Sequence, residues 1–327
     1  MTSQHKAQFV LLTATMIWGA SAIVLDVVLD YLTPLHAMTM RFGIATLILS
    51  TFLIIFKKSN GFSLISSKTC IMIGWADAFG YLAATTGQAM TTAGLANLIA
   101  TSSVFVVPFL VWKVEGTKPG LKLVLLTGSM LLGIFLISYN GNWTNLSRIS
   151  ILGIFVLLIA AFLFASVTVI TGNRLDISNV ETRKSDPLSF IYASLLHAFI
   201  PLIILSTITT KSIISLPFKI IPLLFILAIF PTLVAFSLYN WAIARLGSVQ
   251  TSIYSLFQVI VPFFYDLFIL DLSYSKWVYC GIIVIIISLL VIPKEQSREA
   301  SGNKGTSRLR YILSLMIPSR KEKSILS

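Results

Sequence analysis

Residues 220–244 have the sequence IIPLLFILAIFPTLVAFSLYNWAIA, which contains no charged side chain. A helix needs about 20 predominantly apolar residues to cross the hydrocarbon core of a bilayer. This run is therefore long enough to span a membrane. We expect it to be a helix, because a helix satisfies its own backbone hydrogen bonds in lipid. Pro231 lies inside the run and is expected to kink that helix.

Similar apolar runs fill most of the remaining chain. Of the 327 residues, 56% are hydrophobic and 11% are charged, and the mean hydropathy is +0.91. Soluble domains carry about 25% charged residues, so this composition indicates a membrane protein. We predict an all-α integral membrane protein with ten transmembrane helices. The other spans cover residues 9–29, 34–56, 69–90, 94–112, 121–139, 151–171, 188–207, 248–270 and 276–293.

The basic residues indicate how these spans are oriented. Cytoplasmic loops of membrane proteins carry an excess of Lys and Arg. With the N-terminus in the cytoplasm, 19 of the 24 Lys and Arg residues fall inside and 4 fall outside, while Arg41 lies within a span. We therefore predict cytoplasmic termini and a bacterial inner membrane. The net charge of +12 is spread over loops and the tail, which favours contact with membrane lipid and not a nucleic-acid partner.

The chain is predicted to contain four regions. A cytoplasmic segment, residues 1–8, precedes a first five-span unit, 9–139, and a second unit, 151–293, precedes a basic cytoplasmic tail, 294–327. The sequence has two cysteines but no CxxC or Cys/His cluster, and no nucleotide-binding GK[ST] motif. We therefore predict no metal site, no cofactor and no catalytic residues.

The two units are related by an internal repeat. An odd number of spans in each unit means that the second unit enters the membrane from the opposite side. Inverted repeats of this kind occur in many secondary transporters, with a binding site near mid-membrane, although some channels are also built from repeats. A shift of 153 residues aligns Pro34 with Pro187, Ala89 with Ala242, Gly94 with Gly247, Asn97 with Gln250, and Gly128 with Gly281.

Short motifs occur in a fixed order along both units. They are Trp18-Gly19-Ala20-Ser21, Pro34 and Arg41-Phe42 in the first unit, and Tyr239-Asn240-Trp241-Ala242, Arg245-Leu246-Gly247-Ser248 and Pro262 in the second. Together they resemble the EamA type of the drug/metabolite transporter superfamily, over residues 9–293. The resemblance implies two EamA repeats of five helices each, a central cavity and the export or exchange of small solutes. Amino acids, nucleotide-like metabolites and drugs are among the solutes that this family moves.

Ionisable side chains inside spans are candidates for function, because each costs about 2.5–3.5 kcal/mol to insert. Asp77 lies near the predicted midplane of its span. It could carry a proton, bind a cationic substrate group or form a structural hydrogen bond with a neighbouring helix. Asp26 and Arg41 lie near the outer ends of adjacent spans and could form an ion pair or an outer gate. Arg41 could instead bind a substrate carboxylate.

Uncharged polar and aromatic side chains complete the candidate substrate path. A polar stripe in an apolar span must face protein or water, because lipid cannot satisfy it. Tyr254 and Gln258 are four residues apart and so are predicted to share a helix face. Helix packing is the alternative role for each candidate. The candidates for the substrate or ion path are Trp18, Asp77, Tyr81, Gln88, Asn97, Ser102, Phe164, Tyr239, Tyr254 and Gln258.

These observations favour a secondary transporter that exports or exchanges a small organic metabolite by alternating access. Protons are the candidate coupling ion, with Asp77 as the candidate carrier. A passive channel or facilitator that uses the same cavity is the first alternative. A membrane enzyme or scaffold without a transport path is the second.

Overall fold

The described residues of the first half of the chain form six helices. The computed structural model describes residues 3–56, 62–91, 93–116, 118–139, 151–175, 187–209, 217–259, 261 and 275–290. Within these ranges all regular secondary structure is helical. The predicted tail, 294–327, and Pro262 lie outside them. The helices of the first half are α1 (Ser3–Leu29), α2 (Pro34–Ile55), α3 (Lys68–Ala89), α4 (Ala93–Thr101), α5 (Ser103–Glu115) and α6 (Leu121–Tyr139).

In the second half, the part of the chain that the structure describes contains five α-helices with less regular turns between them. A π-helical segment surrounds Pro231, and 3₁₀ turns lie at both ends of the stretch from residue 218 to residue 259. The elements are α7 (Ile151–Leu175), α8 (Pro187–Thr209), a 3₁₀ turn (Phe218–Ile220), α9 (Ile221–Leu227), the π-helical segment (Ala228–Val234), α10 (Ala235–Tyr254), a 3₁₀ turn (Ser255–Val259) and α11 (Lys276–Leu290).

Several of these elements are apolar and long enough to cross a membrane. Five stretches of the described residues meet this condition by length and composition alone. The fifth is longer than one span needs, and it contains the predicted span 220–244 and the first part of the predicted span 248–270. The stretches are Gln4–Leu29, Pro34–Ile55, Ile151–Leu175, Pro187–Thr209 and Phe218–Val259.

Gly247 separates those two spans. Trp18 Nε1 of α1 lies 2.8 Å from the carbonyl oxygen of Pro231. A Cβ atom on the next residue, Gly19, would lie 2.5 Å from the carbonyl oxygen of Gln258. In one continuous helix Pro231 and Gln258 would be about 40 Å apart, so the chain must double back between them. The reversal occurs at Gly247, where φ is 75° and ψ is 168°.

Contacts between the two halves follow the symmetry of the internal repeat. α3 packs against α7, and α10 packs against α1. In the repeat, α3 corresponds to the span that contains the first part of α10, and α7 corresponds to α1. The first of these pairs is therefore the repeat counterpart of the second. The pairs α2 with α8, and α6 with α11, are their own counterparts. The sequence repeat is therefore also a repeat of helix packing, with the two halves interleaved around a common centre.

We expect Gly247→Ala to lower the free energy of unfolding by about 2 kcal/mol, because this backbone conformation is essentially restricted to glycine. Space is not the obstacle, since no heavy atom lies within 4 Å of a Cβ built at this position. Thermal unfolding of the purified full chain in detergent measures the effect. Gly128→Ala is the matched control, because a Cβ there also meets nothing but φ is helical. An equal loss of stability in Gly247→Ala and Gly128→Ala would contradict the prediction.

Candidate functional site

A cavity of about 170 Å³ lies between the two halves of the chain. Both halves contribute to its wall: α1 to α5 from the first, and α7, α8, α10 and the 3₁₀ turn after α10 from the second. The wall combines a cation, a carboxyl group, amides and aromatic rings. It includes most of the side chains that the sequence predicts for the site, namely Trp18, Arg41, Asp77, Tyr81, Gln88, Asn97, Phe164, Tyr239 and Gln258.

Arg41 supplies the positive charge of the cavity. It belongs to α2, and only 2% of its surface is exposed. Its Nε donates a hydrogen bond to Thr232 Oγ1 at 2.7 Å. The guanidinium lies over the ring of Tyr81, with 4.9 Å between Cζ and the ring centroid, which is within the range of a cation–π interaction. Nη2 is buried and has no hydrogen-bond partner among the described residues.

Asp77 supplies the negative charge. It lies on α3 one helical turn before Tyr81, so both side chains are on the same face of the helix. Only 4% of its surface is exposed. Within the described part of the chain its carboxyl group forms no hydrogen bond and no ion pair, although Arg41 is close enough to attract it electrostatically. The cavity wall therefore contains a guanidinium and a carboxyl group, and no salt bridge joins these two described residues.

Aromatic rings from both halves meet beside these charges. The Tyr81 ring contacts the Phe164 ring with centroids 5.0 Å apart. The Trp18 ring contacts the Tyr239 ring at 5.1 Å and the Phe236 ring at 5.8 Å. Edge-on and tilted packing of this kind is favourable for aromatic pairs. The rings give the cavity an apolar side suited to a hydrocarbon or aromatic group.

The amide side chains bind neighbouring helices at the edges of the cavity. Gln88 Nε2 donates to the carbonyl oxygen of Ala22 in α1 at 3.2 Å. Asn97 Nδ2 donates to the carbonyl oxygen of Gln258 at 3.2 Å, and Gln258 Nε2 donates to Thr101 Oγ1 at 2.9 Å. The last two bonds join the corresponding spans of the two halves, α4 and the 3₁₀ turn after α10.

Asp26 and Arg41 do not form the ion pair that their sequence positions suggest. Both residues are described, and each binds a different partner. Asp26 is exposed and accepts a hydrogen bond from Gln88 Nε2 at 3.2 Å. Arg41 is buried against Thr232. The reason is that α2 packs mainly against α8, next against α3 and the π-helical segment, and only marginally against α1.

Two further candidates, Ser102 and Tyr254, do not line the cavity. Ser102 lies at the break between α4 and α5, and its neighbour Ser103 lines the cavity instead. Tyr254 packs near the cluster of buried residues formed by α1 and α10. The predicted stripe with Gln258 fails because residues after Tyr254 form a 3₁₀ turn. Its tighter winding rotates Gln258 away from the face of Tyr254.

The candidate set omitted several polar residues of the cavity wall. All are hydroxyl residues, which can bind a carbonyl of their own helix and so need no partner elsewhere. Their presence in a span therefore carries little signal. A polar position repeated on the same face of two helices would have been the available clue. These residues are Ser21, Thr85, Thr168, Thr171, Ser194 and Ser255.

Comparison with known families identifies the chain. The model of the EamA-like transporter family matches it twice, over residues 5–139 and 151–293. The chain belongs to the EamA-like transporter family. This EamA-like protein is therefore an integral membrane transporter of the drug/metabolite superfamily, and its substrate is a small molecule. The predicted fold class, an all-α membrane protein built from two EamA repeats, is confirmed.

A solved structure described as "Crystal structure of protein" shares the fold of the EamA-like chain. It matches with a TM-score of 0.68 at 12% sequence identity, and the match covers 88% of this chain and 98% of that one. At this identity the likeness concerns the fold alone. No curated protein matched the sequence.

Proposed function

We propose that this EamA-like protein exports or exchanges a small zwitterionic metabolite, such as an amino acid or a related compound, by alternating access. One observation supports this substrate class above others. Arg41 and Asp77 are both buried in the wall of the same cavity, and no ion pair joins these two described residues. A buried charge that is left unpaired is costly, so each of the two charges calls for a partner of opposite sign.

A zwitterion supplies both partners at once. Its carboxylate would bind the guanidinium of Arg41, whose buried Nη2 lacks an acceptor. Its ammonium group would bind the carboxyl group of Asp77. An apolar portion of the substrate would contact the rings of Trp18, Tyr81 and Phe164, which line the same cavity.

Alternating access follows from the repeat. Two halves of related sequence, proposed as residues 9–139 and 151–293, can exchange conformations and so produce inward-facing and outward-facing states of similar energy. We propose protons as the coupling ion and Asp77 as their carrier, because a carboxyl group inside a membrane is a common element of proton pathways. In this proposal the chain has no catalytic activity. Both termini lie in the cytoplasm of a bacterium, and the protein resides in the inner membrane.

Exchange in proteoliposomes tests the proposed function. The purified full chain would be reconstituted, and uptake of each standard L-amino acid would be measured with and without the same amino acid inside the vesicles. At least one amino acid is expected to show saturable uptake that increases several-fold with internal substrate. Its carboxamide and its decarboxylated amine, which lack the carboxylate, are expected to compete at least about ten-fold more weakly, because a hydrogen bond to a charged group contributes about 1.5–3 kcal/mol.

Each alternative has a distinct outcome in this experiment. Uptake that is not stimulated by internal substrate would indicate a channel or facilitator. Equal competition by the amino acid and its carboxamide would rule out a carboxylate contact. Empty vesicles and vesicles with Arg41→Met protein are the controls, and uptake that does not differ between Arg41→Met and the natural chain would contradict the role proposed for Arg41.

A further inference from the structure

The π-helical segment contains a carbonyl group that a proline has deprived of its usual partner. In an α-helix the carbonyl oxygen of Leu227 would accept a hydrogen bond from the backbone N–H four residues later. That residue is Pro231, which has no N–H. The hydroxyl group of the next residue, Thr232, donates to the Leu227 oxygen at 2.9 Å. The π-helical i→i+5 pattern matches this oxygen with the backbone N–H of Thr232, and the Thr232 hydroxyl adds a second hydrogen bond to it.

This bond fixes the role of the Thr232 hydroxyl toward Arg41. A threonine hydroxyl has one proton and two acceptor lone pairs. Since the proton is used in the bond to Leu227, the oxygen is left as an acceptor. Arg41 Nε donates to it at 2.7 Å. Thr232 is completely buried, so no solvent competes for either bond.

The guanidinium of Arg41 is held on two sides as a result. Thr232 binds its Nε edge, and the ring of Tyr81 lies against its face. The remaining donor edge includes Nη2, which is buried without a partner among the described residues. The carbonyl oxygen of Pro231 also accepts the hydrogen bond from Trp18 Nε1. The same π-helical segment therefore orients two residues of the cavity wall.

We propose that Thr232 is the positioning residue of a carboxylate-binding site on Arg41. By binding Nε, Thr232 turns the other edge of the planar guanidinium toward the cavity, where two parallel hydrogen bonds to a carboxylate can form. This inference rests on the proposed function, because it concerns how the same cavity recognises its substrate. It adds a residue that does not line the cavity and that belongs to the opposite half of the chain from Arg41.

Two substitutions at position 232 separate the hydroxyl group from the shape of the side chain. Thr232→Val keeps the shape and removes the hydroxyl, whereas Thr232→Ser keeps the hydroxyl. Thr51→Val is the matched control, because Thr51 is exposed and its hydroxyl donates to a carbonyl of its own helix, that of Leu47. The probes are the standard L-amino acids and their carboxamides, used as competitors of exchange in proteoliposomes and as ligands in thermal-shift assays.

We expect the amino acid to compete for exchange at least about ten-fold more weakly in Thr232→Val than in the natural chain. Competition by the carboxamide is expected to change less than two-fold. Thr232→Ser and Thr51→Val are expected to behave like the natural chain. The loss should appear in the KM of exchange, because the contact orients a group that binds the substrate.

Four results would overturn the inference. Equal weakening of the amino acid and its carboxamide would show that Thr232 acts on packing alone. Equal behaviour of the Val and Ser variants would exclude a role for the Thr232 hydroxyl group in positioning Arg41. If Arg41→Met loses the preference for a carboxylate but Thr232→Val keeps it, the proposed function stands and only the positioning role fails. If no preference exists even in the natural chain, both fail. Should Thr232→Val not fold, Thr232→Ala provides the same comparison.

Discussion

Asp77→Asn is expected to reduce exchange of a zwitterionic substrate by about 100-fold or more. Asparagine has nearly the shape of aspartate but no charge, so the substrate ammonium group would lose its counter-charge inside the membrane. Removing one partner from a buried, hydrogen-bonded charge pair costs about 2–5 kcal/mol. The substitution also affects the protein without substrate, because it removes the electrostatic attraction between Asp77 and the buried Arg41. Exchange would be measured in proteoliposomes at equal amounts of folded, reconstituted protein.

The same variant tests whether Asp77 carries the coupling proton. A proton carrier must titrate, and asparagine does not, so the residual exchange is expected to lose its dependence on pH. Asp26→Asn is the matched control, because Asp26 is exposed and lies outside the cavity wall. It should retain exchange within about two-fold, because its side chain does not line the cavity and an asparagine oxygen can still accept the hydrogen bond from Gln88. An unchanged pH dependence in Asp77→Asn would exclude the proton-carrier role.

Gly74→Ala is expected to destabilise the protein by about 3 kcal/mol, the upper end of the range for an overpacked contact. Gly74 is buried on α3 where this helix packs against α8. A Cβ atom there would lie 2.6 Å from the carbonyl oxygen of Ser194 and 2.8 Å from the backbone nitrogen of Ala198. Backbone atoms of a neighbouring helix cannot move aside individually, so the two helices would have to separate. The shift also moves Asp77, one turn along α3.

Unfolding in detergent, followed by circular dichroism, measures this effect. Gly128→Ala again supplies the control, since a Cβ at that exposed helical position meets no atom within 4 Å. Alanine favours a helix over glycine by about 1 kcal/mol, so this control is expected to be as stable as the natural chain or slightly more stable. A Gly74→Ala protein with the stability of the Gly128→Ala protein would show that α3 and α8 are not in close contact.

The composition of the cavity wall could be predicted only in part. Asp77 and Arg41 were identifiable because a charge in an apolar span needs a reason to be there. How these two residues are placed relative to each other could not be predicted from the sequence. The predicted pairing of Arg41 with Asp26 was wrong. A helical repeat gives the face on which a side chain lies relative to its own helix. It does not give the neighbouring helix that this face meets, which is decided by packing.

Thr232 shows why some residues of the site have no signal in the sequence. It lies 191 residues from Arg41, in a segment that is otherwise apolar. Threonine is tolerated in any span, because its hydroxyl can bind a carbonyl of its own helix. Its burial and the bond from Arg41 Nε distinguish Thr232 from a threonine such as Thr51, which is exposed. That bond exists because α2 packs against the π-helical segment.

The sequence alone determined that the chain crosses a membrane repeatedly in two related units. Apolar runs and repeated landmarks are local properties of the chain, and lipid imposes the helix on each run. The tertiary structure decided which polar side chains share the cavity, that its two charges are not paired, and that Gly247 reverses the chain. These features depend on the rotation and contact of helices far apart in sequence, which side-chain packing sets and local periodicity does not encode.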